Sequence, residues 1–229
     1  MAKRRILKTN RATIVNAALE IIDQVGVDGL TIRGVAALAG APPMSLYSHF
    51  AKKEQLLDLL YEDISSRLYP GPEHDDWPSA LSSFCHNIRE LLLVHPRWAP
   101  LLSRPAPVLL VPRRERLLTL MTTAGLTARD ALATLSSAGL LALGLTTIEL
   151  SFRDRDGVSP FAKRYDNLRA QREDSWFASE NPTTRDALAR LPTLDLGENF
   201  SSTVRAFIEG LEARFAHEPL APVAQGSKR

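Results

Sequence analysis

The sequence predicts an all-α protein. Apolar side chains recur at spacings of three and four residues along most of the 229-residue chain, which is the period of an amphipathic helix. No stretch alternates apolar and polar residues as a half-buried strand does, and glycines and prolines interrupt the helical pattern at intervals typical of loops. We therefore expect about nine or ten helices, in a chain long enough to bury a core without disulfides or metal ions.

The first 50 residues hold three predicted helices. Residues 11–25 place apolar side chains on one helical face, and Thr31 is a plausible N-cap for a short helix that Gly40 ends. Pro42 or Pro43 can open the next helix, because the first helical turn tolerates a missing N–H group.

The remainder of the chain continues the helical pattern after a long amphipathic stretch that begins at Lys52. The predicted helices are 52–68, 79–95, 113–124, a long apolar helix after a cap at Thr127, and 198–215. The predicted breaks are 69–78, a proline-rich segment 96–112, and a partly mobile charged loop 153–184.

Composition excludes several classes of protein. The chain is 24% charged and 45% hydrophobic, as in a soluble globular protein, and its single cysteine, Cys85, rules out an internal disulfide framework. We expect Cys85 to be buried rather than reactive. The basic N-terminus lacks a following apolar region, so we expect a cytoplasmic protein, and we interpret the apolar run 132–150 as a helix buried in protein rather than a membrane span.

The net charge of +2 divides unevenly between two parts of the chain. Residues 1–53 carry eight basic and three acidic side chains, or +5, whereas the remainder carries 20 basic and 23 acidic side chains, or −3. A basic head on an acidic body is a weak sign of nucleic-acid binding.

A helix-turn-helix is predicted between Thr31 and Phe50. Ala36 is small enough for a second helix to cross over it, Gly40 permits a positive φ in the turn, and Leu46 is placed to lock the second helix onto the first. Such a second helix can enter the DNA major groove.

The run ALEIIDQVGVDGLTIRGVAALAGAPPMSLYSHFAKKEQLLD resembles the N-terminal domain of the tetracycline-repressor (TetR) family of transcriptional regulators. Arg104-Pro105 and the segments GLTARDALATLSSAG and ENFSSTVRAFIEGLEARF also resemble that family, less specifically. The resemblance implies a DNA-binding domain (1–55), an effector-binding and dimerisation domain (56–217) and a disordered tail (218–229). It also implies a homodimer whose long C-terminal helices form a four-helix interface.

The resemblance implies contacts with double-stranded DNA at a palindromic operator from Thr31, Arg33, Pro43, Met44, Ser45, Tyr47, His49 and Lys53. Arg33 would read a guanine edge, the alternatives being a phosphate contact or a solvated side chain. Pro43 stands where the family often has a polar amide, which favours apolar contact with thymine methyl groups. Tyr47, His49 and Lys53 are expected at phosphates, with a capping or packing role as the alternative for His49. The basic arm 3–8 either reaches a neighbouring groove or is solvated.

A mostly apolar effector cavity is expected between the helices of the second domain, for a small apolar or aromatic molecule. Its candidate lining residues, each of which could instead be plain core, are Ile64, Phe84, Ile88, Leu92, Trp98, Leu102, Leu117, Met121, Leu140, Leu143 and Thr147. Leu140 stands where tetracycline-binding members have a histidine that helps to hold drug-bound magnesium. Glu149 alone does not make a magnesium site. We therefore expect no tetracycline–magnesium site, no other metal site and no cofactor.

The sequence favours a ligand-responsive repressor, with three alternatives left open. A helical enzyme would need a nucleophile or an acid–base pair, and we find no catalytic motif. A structural DNA-binding protein without an effector would have a fully packed C-terminal core, whereas a well-formed apolar cavity would argue against it. An activator would share the same DNA-binding residues.

Overall fold

A computed structural model describes residues 10–47, 50–104, 112–151 and 196–217. These residues contain nine α-helices, one 3₁₀ turn and no strand, so the all-α prediction is confirmed. The helices are α1 (Arg11–Val25), α2 (Ile32–Leu38), α3 (Pro43–Tyr47), α4 (Lys53–Leu68), α5 (Trp77–Val94), α6 (Ala99–Leu102), α7 (Pro112–Thr123), α8 (Ala128–Ser151) and α9 (Leu196–His217), with the 3₁₀ turn at Pro96–Trp98. We call α1–α3 the head and α5–α9 the body.

Side-chain caps set where the first two helices begin. The Asn10 side chain accepts a hydrogen bond from the Thr13 N–H at 2.8 Å, and Thr31 Oγ1 accepts one from the Gly34 N–H at 3.0 Å. Each cap satisfies a backbone donor that has no partner within its helix. The predicted cap at Thr31 is thus confirmed.

The helix-turn-helix has the predicted geometry. Gly40 has a φ of +66°, in the left-handed region that favours glycine, and the Ala41 N–H donates to the Ala36 carbonyl at 2.9 Å across the turn. Ala36 and Leu46 are both fully buried. The offsets between these residues therefore specify how α3 crosses α2.

Helix α4 joins the head to the body. Its buried face includes Leu56, Leu60 and Ile64, and it packs against α1 of the head as well as against α5, α6 and α7. The boundary expected between residues 55 and 56 falls inside this continuous helix, so the two parts share one rigid element.

The body is built around the packing of α5 against α8, with α7 and α9 at their sides. Helix α5 begins at Trp77, as the family resemblance implies and two residues before the periodic stretch 79–95, because the Asp76 side chain accepts a hydrogen bond from the Ser79 N–H at 2.8 Å and caps the first turn. The cap predicted at Thr127 is present, since Thr127 Oγ1 accepts from the Asp130 N–H at 3.1 Å.

The proline-rich segment is partly helical, contrary to the sequence interpretation. Residues 96–102 form the 3₁₀ turn and α6, and both elements tolerate a proline in their first turn because its N–H is not needed there. The loop expected at 153–184, the disordered tail expected at 218–229 and the basic arm 3–8 all lie outside the described residues.

The apolar helix α8 is buried on one face only. The prediction that this helix is buried in protein is therefore correct for that face and wrong for the opposite one. Ala131, Ala138 and Ala142 are fully buried, whereas the side chains of Leu140 and Ile148 are 72% and 53% exposed. By length and composition this helix could cross a membrane, a test that core helices of soluble proteins also pass. Exposed apolar side chains on one face of a helix are typical of an interaction surface.

Candidate nucleic-acid interface and effector cavity

The exposed side chains of the helix-turn-helix form the candidate DNA interface. Pro43, Met44 and Tyr47 of α3 are exposed, Met44 by 77%, while Leu46 points into the core. Arg33 in the first turn of α2 is exposed and makes no side-chain hydrogen bond or ion pair within the described part of the chain. Its guanidinium is therefore available for base or phosphate contact.

Two polar side chains of the interface are already engaged. Thr31 Oγ1 serves as the cap of α2, and Ser45 Oγ donates to the Pro42 carbonyl at 2.7 Å. His49 lies outside the described residues, so its DNA contact stays a prediction.

Lys53 has a role that sequence reasoning missed. Its Nζ donates to the backbone carbonyls of Val27, at 2.9 Å, and Asp28, at 3.3 Å, in the turn between α1 and α2. An ammonium group has three protons, and the two carbonyls accept hydrogen bonds from two of them. The third proton remains for the expected phosphate contact, which stays a prediction. The hydrogen bonds themselves fasten the start of α4 to the head.

The charge of the head is partly compensated within the chain. Arg11 of α1 forms a 2.7 Å ion pair with Glu62 of α4, and both side chains are largely exposed. Arg33 and Lys52, by contrast, are exposed and have no ion pair within the described part of the chain, so both are candidates for DNA contact.

A second set of contacts joins the head to the 3₁₀ turn. His95 Nδ1 lies 3.0 Å from both carboxylate oxygens of Asp23, and the Arg97 guanidinium donates to the Asp23 and Gln24 carbonyls at the end of α1. These carbonyls have no partner inside their helix, so Arg97 acts as a C-terminal cap. The His95 ring stacks on Trp98, with centroids 3.9 Å apart.

A cavity of about 460 Å³ lies between α4, α5, α6, α7 and α8. A small-molecule site typically has a volume of this order and a mostly apolar lining. Its lining residues are Tyr61, Ser65, Leu68, Tyr69, Phe84, Ile88, Leu102, Ser103, Arg104, Arg114, Leu132, Leu135, Ser136, Gly139, Leu140 and Leu143.

The lining of this cavity contains a stacked aromatic pair. The rings of Tyr69 and Phe84 lie 4.9 Å apart at an interplanar angle of 20°. Burial raises the pKa of Tyr69 to about 12, against the opposing influence of the Arg114 cation. Tyr69 therefore enters the cavity as a neutral phenol at physiological pH.

Glu149 is committed to an ion pair. Arg89 Nε and Nη2 donate to its two oxygens at 2.8 and 2.9 Å, and the carboxylate side chain is only 3% exposed. The described residues contain no group of three or more His, Cys, Asp or Glu side chains that could hold a metal ion. With Leu140 at the open margin of the cavity, these residues do not fit a tetracycline–magnesium site.

Two family models cover most of the chain. The model for bacterial regulatory proteins of the tetR family matches residues 14–60, and that for the tetracyclin repressor-like C-terminal domain matches residues 69–217. The chain belongs to the tetR family. It is a ligand-responsive, DNA-binding transcriptional regulator.

Known relatives agree with this assignment. An HTH-type transcriptional regulator of Saccharopolyspora erythraea is 28% identical over 70% of each chain. The class D tetracycline repressor of Escherichia coli is 33% identical over 60% of this chain and 65% of its own. The structure of ActR from Streptomyces coelicolor in complex with actinorhodin is 25% identical, covers 93% of this chain and 100% of its own, and has a TM-score of 0.74.

Five of the expected lining residues border the cavity of this tetR-family regulator: Phe84, Ile88, Leu102, Leu140 and Leu143. The other six do not. Ile64, Leu92, Trp98, Leu117 and Met121 are buried in the core, and Thr147 is exposed. Helical periodicity marks the buried face of a helix but does not show which buried residues border empty space.

Sequence reasoning missed the polar lining of the cavity. Tyr61 lies in α4, Arg104 follows α6 and Arg114 lies in α7, and no motif links them in the sequence. Only Arg104 carried a signal, as part of the Arg-Pro pair shared with the family.

A larger, polar cleft of about 680 Å³ lies between α5 and α9. His86 forms part of its wall, with Nε2 3.2 Å from Ser201 Oγ. No residue of α4 or α6 borders this cleft, so a molecule bound there would lack direct contact with the helix that joins head and body.

Proposed function

We propose that this chain is the subunit of a homodimeric cytoplasmic repressor, which leaves a palindromic operator when a small apolar or aromatic effector enters the 460 Å³ cavity. The observation that carries the proposal is the double role of α4. Tyr61 and Ser65 of this helix line the cavity, while Lys53 at its start holds the turn before the helix-turn-helix. An effector that moves α4 thereby moves the head.

The cavity supports an effector over a purely structural DNA-binding protein, because its volume of about 460 Å³ and largely apolar lining are those of a small-molecule site. The ligand of one relative points the same way, since ActR has been solved in complex with actinorhodin. No catalytic role is part of the proposal, and members of the tetR family are transcriptional regulators.

The open face of α8 supports the dimer. Leu132, Leu140 and Ile148 form an uncharged, exposed stripe on this helix, and α9, which packs against α8, carries half-buried Phe207 and Leu211. A second copy that covers the same stripe would bury it by two-fold symmetry. Two heads on such a dimer would read half-sites about one helical turn apart, roughly 34–36 Å.

Selection of operator sites from random duplexes by the purified protein tests this function. We expect an inverted repeat, and we expect footprinting to protect such a repeat upstream of the protein's own gene. Recovery of sequences without two-fold symmetry, or of none, would overturn the proposal. A reporter gene behind the selected site separates repression, the expected outcome, from activation.

A further inference from the structure

The charge of the cavity lining is unbalanced. Its two ionised side chains are Arg104, in the bend after α6, and Arg114 on α7, and no carboxylate is among the described residues that line it. Both side chains are partly buried, since that of Arg104 is 30% exposed and Arg114 is half-buried. Cations that line a cavity without a carboxylate are suitable partners for an anion that enters with the ligand.

The aromatic pair in the lining favours a flat ligand. Tyr69 and Phe84 already stack at 4.9 Å, and a further ring can extend such a stack in an offset or edge-on arrangement. The volume of about 460 Å³ admits a molecule of a few fused rings.

Two serine hydroxyls of the lining favour ligand groups that donate hydrogen bonds. Ser103 Oγ donates to the Ala99 carbonyl at 2.9 Å, and Ser136 Oγ donates to the Leu132 carbonyl at 2.8 Å. With both protons used inside the chain, these oxygens can serve a ligand only as acceptors. Phenolic hydroxyl groups of an aromatic ligand are suitable donors.

Arg104 also connects the cavity to α4. Its Nη2 lies 3.7 Å from Asp58 Oδ1, which is an ion pair too long to be a hydrogen bond. Partly exposed pairs of this kind hold their partners weakly. A ligand carboxylate that hydrogen-bonds the guanidinium at two positions is a stronger partner than Asp58 in this geometry.

We propose that the effector is an acidic aromatic molecule whose anionic group binds Arg104 and Arg114 and draws Arg104 away from Asp58. This inference rests on the proposed function, because it takes the cavity as the effector site. Loss of the Asp58 partner removes a tether between α6 and α4. Since Lys53 fastens the start of α4 to the head, the freed helix carries the head out of register with the operator.

Two matched probes test the charge requirement: anthraquinone-2-carboxylate and its neutral counterpart anthraquinone-2-carboxamide. By calorimetry with the full chain, we expect the carboxylate to bind about tenfold more tightly than the amide. Arg104→Gln and Arg114→Gln should each abolish that preference, while Arg129→Gln, at an exposed arginine at the start of α8, should keep it. Equal affinities, or no binding of the carboxylate, would overturn the inference.

Operator binding tests the tether and separates the two proposals. Without ligand, Asp58→Asn should bind the selected operator more weakly than the wild type, and the carboxylate should reduce its affinity less. Asp63→Asn removes the same charge from the same helix and should behave like the wild type. If Asp58→Asn bound the operator as tightly as the wild type and lost the same affinity with the carboxylate, the proposed Arg104–Asp58 tether would be wrong.

The wild-type protein decides which proposal has failed. If it binds no operator without ligand, the proposed function is wrong whatever the probes do. If it binds the operator and both probes release it equally well, the repressor stands and the acidic effector is wrong.

Discussion

His95 Nδ1 lies 3.0 Å from both carboxylate oxygens of Asp23, so the start of the 3₁₀ turn is hydrogen-bonded to the last turn of α1. A carboxylate only accepts hydrogen bonds, which makes Nδ1 the protonated ring nitrogen. The same turn leads into α6, whose end lines the cavity through Leu102. Head and cavity are therefore joined by a route that does not pass through α4.

Replacing His95 tests this second connection. His95→Phe keeps a ring on Trp98 but loses the hydrogen bond to Asp23, and we expect operator affinity without ligand to fall about fivefold, for a charge-assisted bond of about 1 kcal/mol. Fluorescence anisotropy on the selected operator measures the change. His86→Phe, which alters a histidine bonded only within the body, serves as the control. Equal losses in both variants would argue against the connection.

Arg33 and Lys52 should affect DNA binding in different ways. Arg33→Ala should weaken specific binding by about 1–3 kcal/mol and leave non-specific binding nearly unchanged, because a guanine contact carries sequence information. Lys52→Ala should weaken both kinds of binding and reduce the salt slope by about one, as expected for a phosphate contact. Unchanged specific affinity in Arg33→Ala would remove that residue from the interface.

The exposed stripe of α8 should hold two copies of the chain together. Ile148→Glu places a charge on this stripe, at a side chain that is 53% exposed and does not border the cavity. We expect the variant to elute as a single chain and the wild type as two, by light scattering. Val94→Glu changes a 71% exposed side chain at the end of α5 and should leave the mass unchanged. A dimeric Ile148→Glu would place the interface elsewhere.

Removing only one partner of the Arg89–Glu149 ion pair should strongly destabilise the folded protein. Arg89→Met leaves a 3% exposed carboxylate without its guanidinium, and we expect about 3–5 kcal/mol of lost stability in denaturant at fixed protein concentration. Arg67→Met breaks an exposed pair within α4 and should cost less than about 1 kcal/mol. Adding Glu149→Met to Arg89→Met should restore most of the loss. A double variant no more stable than Arg89→Met would show that burial of the carboxylate is not the cause.

Cys85 should react slowly with thiol reagents until the protein unfolds. The residue is fully buried, and burial raises the pKa of its thiol from 9.0 to about 12. At pH 8 this lowers the thiolate fraction about 1000-fold, and the thiolate is the reactive form. Alkylation followed by mass spectrometry should show little native labelling and full labelling in denaturant. Fast native labelling would mean that α5 and α8 separate readily.

The head was predictable because its constraints are local. A capping threonine, a small residue at a helix crossing, a glycine with positive φ and a buried leucine occur at fixed offsets, so Thr31, Ala36, Gly40 and Leu46 specify the motif by spacing alone. The helices of the body were likewise marked by their period and caps.

The cavity was predictable only in part, because it depends on how distant helices pack. Phe84 borders it while Leu92, on the same helix, is buried core, and both have the same pattern in the sequence. Arg104 and Arg114 approach one cavity only after α6 and α7 have packed onto α4. No sequence pattern predicts the hydrogen bonds of Lys53 to two backbone carbonyls, because every residue has a carbonyl acceptor.

The dimensions of α4 turn a small event at the cavity into a larger one at the DNA. Its 16 residues make a rod about 24 Å long at 1.5 Å per residue. A tilt of about 5° around the cavity end would displace the Lys53 end by about 2 Å, since the rod does not bend. In a symmetric pair of subunits both rods would tilt, so the separation of the heads could change by up to about twice that amount. A small tilt of α4 would therefore become a larger displacement of the heads. A ligand that shifts only a few side chains at the cavity could in this way disrupt the whole set of contacts that the heads make with DNA.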